Sequence, residues 1–415
     1  MKLPFFGPKK NDDDELLLAL DIGTEYVKSV LFTIDKLTNS LNVVGYGKCR
    51  QHSSAMQGAM IVNIEHVISA CDRAVGSALI NADKFNKSKG VEVAKTPLPK
   101  KVIMGIAGEL VEGVVIMANY ERENRDAKID QKELEEVIDS IKEDAFSDAL
   151  HDIAESIGVT AESLVEINTK INATYIDGVK VDNPIDFTGS DIQYRAYSTF
   201  APGIHLNSMR EIAKQLGLEL LSVEVEPYAV SRALKGAKSK DFSAIIIDIG
   251  GGTTDIAVVE KGAIVGTRMF AYGGKVFTKR LAHDLDMDLQ DAEKTKLDYG
   301  KGQLGHKMES QIKKALAKDL QVWAEGVEIA LSEIEDIEQF PDKIYLCGGG
   351  SALPEIREAL MEHPWLQVLP FYKFPKVEFI YPKQLEDIND ETRSILDPAD
   401  VTPLALAKMM LEVTY

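Results

Sequence analysis

The sequence predicts an α/β fold built from two similar halves, on three observations. An apolar run at 16–20 meets the polar turn Asp21-Ile22-Gly23-Thr24 and returns as a second strand-like run at 27–34. The same pattern recurs 227 residues later, where 244–247 meets Asp248-Ile249-Gly250-Gly251-Gly252-Thr253-Thr254-Asp255 and returns at 256–259. Each reads as a buried strand, a tight turn and a returning strand. The separation is too long for a solenoid period and fits two half-molecules. Elsewhere strands alternate with helices, the pattern of α/β sheets.

Taken in order, 65–79 has helical spacing, and 82–101 is polar and lysine-rich with Pro97 and Pro99, a linker-like passage. From 101 to 200 runs an α+β stretch with strands at 102–107 and 111–117, a helix at 130–146 and a hairpin around Asp177-Gly178. It reads as an inserted subdomain. Residues 192–200 are strand-like and 206–216 form an amphipathic helix. A strand at 221–225 leads into Glu226-Pro227, which opens a helix at 228–234, since proline suits a first helical turn. Residues 235–241 connect the halves. A strand at 343–347 runs into Gly348-Gly349-Gly350-Ser351 and then a helix to about 362. The implied division is a flexible leader at 1–15, a first lobe at 16–100, 201–238 and 396–415, the insert at 101–200, and a second lobe at 239–395.

Composition bounds the function. The 415 residues suggest two to three domains, and a 45% hydrophobic content is enough for large cores. A net charge of −19 suits neither bulk nucleic-acid binding nor an anionic membrane surface. Three scattered cysteines exclude a disulfide scaffold and a CxxC metal site, and favour a reducing compartment. No apolar run approaches the ~18–20 residues of a spanning helix, and the start of the chain lacks the apolar stretch of a secretory signal. Cytoplasmic location is the expectation. The acidic run at 12–15 reads as a solvated leader.

The two turns carry the chemistry. A tight glycine turn exposes consecutive backbone N–H groups and lets the backbone approach an anion, and threonine hydroxyls add donors. An aspartate at a strand end would reach phosphate through a hydrated divalent cation. Two such turns could grip one phosphate chain from both sides; the alternative for each is a Gly-Thr hairpin with a structural aspartate. The third cluster, Gly348 to Gly350, would let a flat ring or a phosphate lie against backbone, or is simply a tight strand–helix turn. Other signatures are absent: no GxxxxGK[ST], no HExxH and no GxSxG occurs. The one GxGxxG string, 300–305, follows a helix-like stretch instead of a strand, so it reads as a solvated loop.

Two Asp-x-Gly turns with threonines, a Glu-Pro between them and a late Gly-Gly-Gly after a strand resemble the actin-like ATPase superfamily, with its ribonuclease H-like duplicated, two-lobed fold. Within it the chain resembles the bacterial FtsA/PilM group, from about 16 to 410. SSAMQGAMIVNIE at 53–65, the stretches 103–117 and 174–201, AYGGKVFTKRL at 271–281, AEKTK at 292–296 and Thr402-Pro403 are similar to FtsA. MKLPFFGPKK at 1–10 and VEVEPYAVSRAL at 223–234 lean toward PilM.

The resemblance implies ATP and Mg²⁺ as cofactors. Asp21, Gly23 and Thr24 would form the first phosphate turn, with Lys28 on the returning strand facing either way. Gly250, Gly251, Gly252, Thr253 and Thr254 would form the second. Asp21, Glu226 and Asp248 would hold magnesium waters or position a hydrolytic water: Asp21 and Asp248 for the metal, Glu226 and Asp248 for catalysis. Gly273, Gly274, Glu293 and Lys296 would approach phosphate, ribose or base, and Gly348, Gly349, Gly350 and Ser351 would wall the adenosine. For Glu293 and Lys296 the alternative is an exposed i,i+3 ion pair.

The implied function is an FtsA-like scaffold ATPase of bacterial cell division. It would link the division ring to the membrane at the inner face of the cell membrane, by nucleotide-dependent self-association into filaments or oligomers and by binding a division tubulin homologue or other division proteins. Weak ATPase activity would accompany it. A second expectation is a PilM-like pilus assembly ATPase that binds a peptide of a pilus inner-membrane protein. A third, a sugar or acid kinase of the superfamily, lacks a convincing carboxylate base motif. No nucleic acid is expected. FtsA-type chains usually continue into an amphipathic membrane helix, which this sequence does not display. Leu3, Phe5 and Phe6 with Lys2, Lys9 and Lys10 offer a weak membrane contact or form a disordered leader.

Overall fold

The structure, a computed structural model, describes residues 15–57, 59–90, 95–106, 111–134, 136, 150–151, 153–155, 158–181, 183–234, 236, 242–334 and 337–413. The leader at 1–14, most of the 235–241 connection and most of the helix expected at 130–146 lie outside them.

The expected duplication is visible in the sheets. In the first, β1 (Leu17–Ile22), whose residues are all buried, pairs antiparallel with β2 (Tyr26–Asp35) and parallel with β6 (Lys101–Ile106). The strand β3 (Ser40–Arg50) follows β2, the short strands β4 (Met56–Gln57) and β5 (Met60–Ile61) pair with each other, and β11 (Glu219–Val225) lies outside β6. In the second, β12 (Ala244–Ile249) pairs antiparallel with β13 (Thr254–Glu260) and parallel with β15 (Lys343–Cys347). It is flanked by β14 (Ala263–Phe270) and β16 (Lys376–Phe379). The orders β3-β2-β1-β6-β11 and β14-β13-β12-β15-β16 are the same topology twice. The strand β17 (Ile388–Asp390) pairs with β3 and so joins the first sheet, although the sequence reading put residues up to 395 with the second lobe. A three-residue pairing segment leaves no periodic signal to read.

On the first sheet lies α1 (Ile64–Ser88), capped by Asn63, whose side chain accepts from the His66 amide. Ala70, Ala74, Ala78 and Ala82 are buried at i,i+4 spacing and bring the helix axis close to the sheet. Glycine receives it: a Cβ on Gly47 would lie 2.0 Å from the Ala74 carbonyl oxygen, and one on Gly45 2.4 Å from that of Ala78. The helix thus runs nine residues beyond the expected end at 79 and takes in the first part of the supposed linker. The lysines that suggested a linker, Lys84 and Lys87, lie on this helix, while Ala82 continues the buried stripe.

Beside α1 on the first sheet lies α2 (Gly203–Gln215), whose Met209, Ile212 and Ala213 share a core with Val67, Ala70 and Cys71. Between the two sheets lie two central helices, α3 (Glu226–Ala233) and the apolar C-terminal helix Val401–Val413. One core cluster unites Leu17, Phe32, Tyr228, Leu404 and Leu406 with Ile246, Ala257 and Cys347 of the second sheet. The second sheet carries its other helices on its far side: α4 (Gly274–Asp284), α5 (Leu289–Gly300) and α6 (His306–Ser332) among them, around a core with Trp323 and Phe277. The α6 helix has no counterpart in the sequence reading.

The insert forms an antiparallel sheet in the order β7 (Glu112–Glu121), β10 (Asp191–Pro202), β8 (Leu164–Ile176) and β9 (Val179–Val181). It touches both lobes. The Tyr197 hydroxyl lies 2.7 Å from Thr267 Oγ1 on β14, and its ring stacks on Tyr228 of α3. Gly113 makes room for that ring, since a Cβ there would lie 1.9 Å from the Tyr197 oxygen.

Gly47→Val is expected to cost about 3 kcal/mol or more, because the new side chain meets helix backbone that cannot give way. Urea unfolding of the variant, compared with a surface substitution on α1, measures it.

Candidate functional site

The two polar turns meet at the mouth of one crevice. A Cβ on Gly251 would lie 2.7 Å from Glu25 Cβ, and one on Gly252 3.1 Å from Thr24 Oγ1. Behind them lies a cavity of about 920 Å³, lined from both lobes. Asp21, Gly23, Thr24, Lys28, Glu226, Asp248, Gly250, Gly251, Thr253, Gly274, Glu293, Lys296, Gly348, Gly349, Gly350 and Ser351 all line it. Gly252, Thr254 and Gly273 are not among the lining residues. The Thr254 hydroxyl is turned away from the cavity. It donates to the Tyr272 carbonyl at 2.6 Å and accepts from the Trp323 indole at 2.9 Å, inside the second lobe. Gly273 packs under the second turn, where a Cβ would sit 2.8 Å from the Gly250 carbonyl oxygen. These two residues support the turn instead of facing the cavity.

Acidic groups converge on the crevice. Lys28 faces it and donates to Asp21 Oδ2 at 2.9 Å. Burial alone would lower the Lys28 pKa, but the charges of Asp21, Asp248 and Asp400 and the Asp21 hydrogen bond outweigh it and hold the lysine charged. Burial, then the charges of Asp21, Asp248 and Asp255, push the Glu226 carboxyl well above the carboxylate range. Asp248 is also raised by burial, against the opposing hydrogen bond from Thr402 and the charge of Lys28. Beneath it, Cys347 is pushed well up by burial and by Asp248.

At the far end, Glu293 and Lys296 form a buried ion pair of 2.7 Å with both side chains 8% exposed, not the exposed pair that was the sequence alternative. Lys296 Nζ also donates to the Gly274 carbonyl at 2.9 Å and to Thr278 Oγ1 at 2.8 Å, so its three protons have protein acceptors. The knot ties α5 to the first turn of α4. The Gly274 and Lys275 amides there hold the Gly250 and Gly251 carbonyls at 3.0 and 2.8 Å, which fixes the second turn. Gly348 has φ 84°, and a Cβ would lie 2.1 Å from Asp248 Oδ1, so only glycine fits. The Ser351 hydroxyl donates to the Gly348 carbonyl. At Gly349 an added Cβ meets nothing within 4 Å.

The residues present fit a phosphate-bearing ligand. Thr24 Oγ1 is buried without a hydrogen-bond partner beside the glycine turns. Among the described residues no group of three or more His, Cys, Asp or Glu is placed to hold a metal ion directly.

Several crevice residues were not among the expected site residues: Lys48 and His205, and also Lys275 and Thr402, which lie in stretches similar to FtsA. Lys48 stands opposite Lys28 in the β2–β3 register, 4.2 Å from the Tyr26 ring centroid. The alternation of β3 would have placed it on that face. Gly300 and Lys301, from the string read as a solvated loop, also line the crevice. A Cβ on Gly300 would lie 2.8 Å from the Ala352 carbonyl oxygen, so the loop packs against the third glycine cluster.

Because its pKa is raised, Glu226 keeps a proton in the folded chain at pH values where the unfolded chain has released it. Its contribution is full below the ordinary carboxyl pKa and is lost as pH rises toward the raised value. The melting temperature of Glu226→Gln is therefore expected to gain on that of the unsubstituted chain as pH rises from about 4 to about 7. A thermal melt series across that range measures it.

Comparison with known proteins agrees with this architecture. A family model described as "Cell division protein FtsA" matches residues 245–396. The FtsA of Neisseria meningitidis serogroup B is 26% identical over 287 residues, 68% of this chain and 61% of that protein. The FtsA of Bacillus subtilis is 22% identical over 370 residues, 83% of this chain and 76% of that protein. The chain thus spans between three fifths and about three quarters of the length of these relatives. A solved PilM–PilN type IV pilus biogenesis complex superposes with a TM-score of 0.60 at 18% identity, covering 96% of this chain and 98% of that one. With the duplicated sheets, the facing turns and these matches together, the chain is similar to the actin-like FtsA/PilM group.

Proposed function

We propose that this protein is an ATP-binding, FtsA-like scaffold of bacterial cell division. It would couple nucleotide state to self-association and to division-protein partners at the inner face of the cell membrane. The observation that carries the nucleotide reading is the meeting of the two glycine-threonine turns over one cavity lined from both lobes. The division assignment rests on the FtsA family match and the FtsA relatives. No helix among the described residues is long and apolar enough to cross a membrane.

The residues divide the work as follows. The Gly23 and Gly250 amides close the two turns on the Tyr26 and Thr253 carbonyls, and the Thr253 hydroxyl donates to Asp255; Thr24 Oγ1 on one side and the Gly251 backbone on the other would meet the phosphates. Gly348, Gly349 and Gly350 line the crevice where the nucleoside would lie. Asp21 and Asp248 would hold Mg²⁺ through water, and the ion supplies charge neutralisation at the phosphates when bound. Glu226, with its raised pKa, would hold or accept a proton near the terminal phosphate. The bodies that would move are 16–100 with 201–238, 396–415 and the β17 strand that pairs with them, the insert 101–200, and the rest of 239–395, with α3 and the C-terminal helix as the hinge.

A second reading, a PilM-like pilus assembly protein, is favoured by the near-complete overlap with the PilM–PilN structure. Capture of partners from the protein's own cells in ATP separates the two. Division proteins support the first; a pilus inner-membrane protein captured in their place overturns it for the second.

Gly349→Val is expected to weaken ATP binding by roughly tenfold or more, with the melting temperature unchanged, because the space it fills is the crevice itself. Equilibrium dialysis with labelled ATP, beside a thermal melt, measures both.

A further inference from the structure

The two lobes are tied together across the crevice mouth by one carboxylate held between two cations. Glu25, next to the first turn, accepts from Arg50 Nε at 2.7 Å within its own lobe. Its other oxygen lies 3.4 Å from Lys275 Nζ, which comes from the second lobe at the start of α4. Lys275 Nζ also donates to the Thr24 carbonyl at 2.8 Å. Lys275 and Glu25 both line the cavity, and the contact of Gly251 with Glu25 closes the same edge by van der Waals packing. The Glu25 side chain is 16% exposed and that of Lys275 35%, so the link stays accessible to salt.

We propose that Lys275 and Glu25 form an interlobe latch that sets the rate at which nucleotide enters and leaves, with Lys275 a positioning residue and not a phosphate ligand. The proposal rests on the nucleotide reading above. The chemistry separates latch from ligand. If Lys275 bound phosphate, removing the charge of Glu25 would free the lysine for the ligand and tighten binding. If the pair is a latch, loss of either partner lets the lobes part more often, so nucleotide both enters and leaves faster. Ions screen an exposed latch, so release from the intact chain rises with ionic strength.

The test is stopped-flow displacement of a fluorescent ATP analogue from the full chain at about 0.02 to about 0.5 M salt. Lys275→Met and Glu25→Gln are each expected to release the analogue roughly 3- to 10-fold faster at low salt. Both variants should lose the salt dependence that the unsubstituted chain shows, and Lys275→Arg should restore slow release. Thermal melts confirm that the variants are folded. Tighter binding by Glu25→Gln, or an unchanged release rate in Lys275→Met, overturns the latch. An unsubstituted chain that binds no analogue at all overturns the nucleotide reading itself, a distinct result.

Discussion

Lys28 is the charge on which the crevice depends. Asp21, Asp248, Asp255 and Glu226 are gathered near the ends of strands that the core requires to be buried, and carboxylates so close cannot all remain ionised without a counter-charge. Lys28 supplies one by direct contact with Asp21 and by its charge toward Asp248. Thr402 steadies Asp248 from the C-terminal helix, and Glu226 responds by holding its proton. The arrangement keeps the acids behind the glycine turns tolerable.

The duplication explains why both halves bring an aspartate to the same place. Each sheet sets a parallel crossover beside an antiparallel hairpin, and the hairpin turn ends in Asp-x-Gly. The halves have diverged at the turns. The first turn keeps one glycine, and Thr24 fills the space facing the neighbour; the second spends three glycines, two of which accept the approach of Glu25 and Thr24. The asymmetry is steric: two bulky turns could not close to this distance.

Much of this was legible in the sequence because buried strands and glycine turns leave local signals. The strands β1, β12 and β15 are continuous apolar runs, and each ends in a polar turn that shows where the chain must bend. Ala70 to Ala82 were equally periodic, yet the neighbouring lysines disguised the end of that helix. The direction of a side chain was harder to read. Thr253 and Thr254 are adjacent and identical, and only the pleat sends one to the cavity and the other to the Trp323 indole. Lys48 was invisible because an isolated lysine carries no signal until a second element is placed beside it, and Lys275, though inside a stretch similar to FtsA, gained a role only with Glu25 beside it. The pairing of β17 with β3 was hidden for the same reason, since it joins residues almost the whole chain apart.

The hydrogen bond of Tyr197 to Thr267, with the stacking of Tyr197 on Tyr228, gives the inserted sheet a grip on both halves of the molecule. A passenger segment could be excised or exchanged with a relative's without notice. This one could not, because its removal would strip a buried aromatic wedge from the joint and leave a threonine hydroxyl without its mate. Any graft between family members would have to carry the tyrosine, its glycine seat and the receiving threonine as one inherited unit.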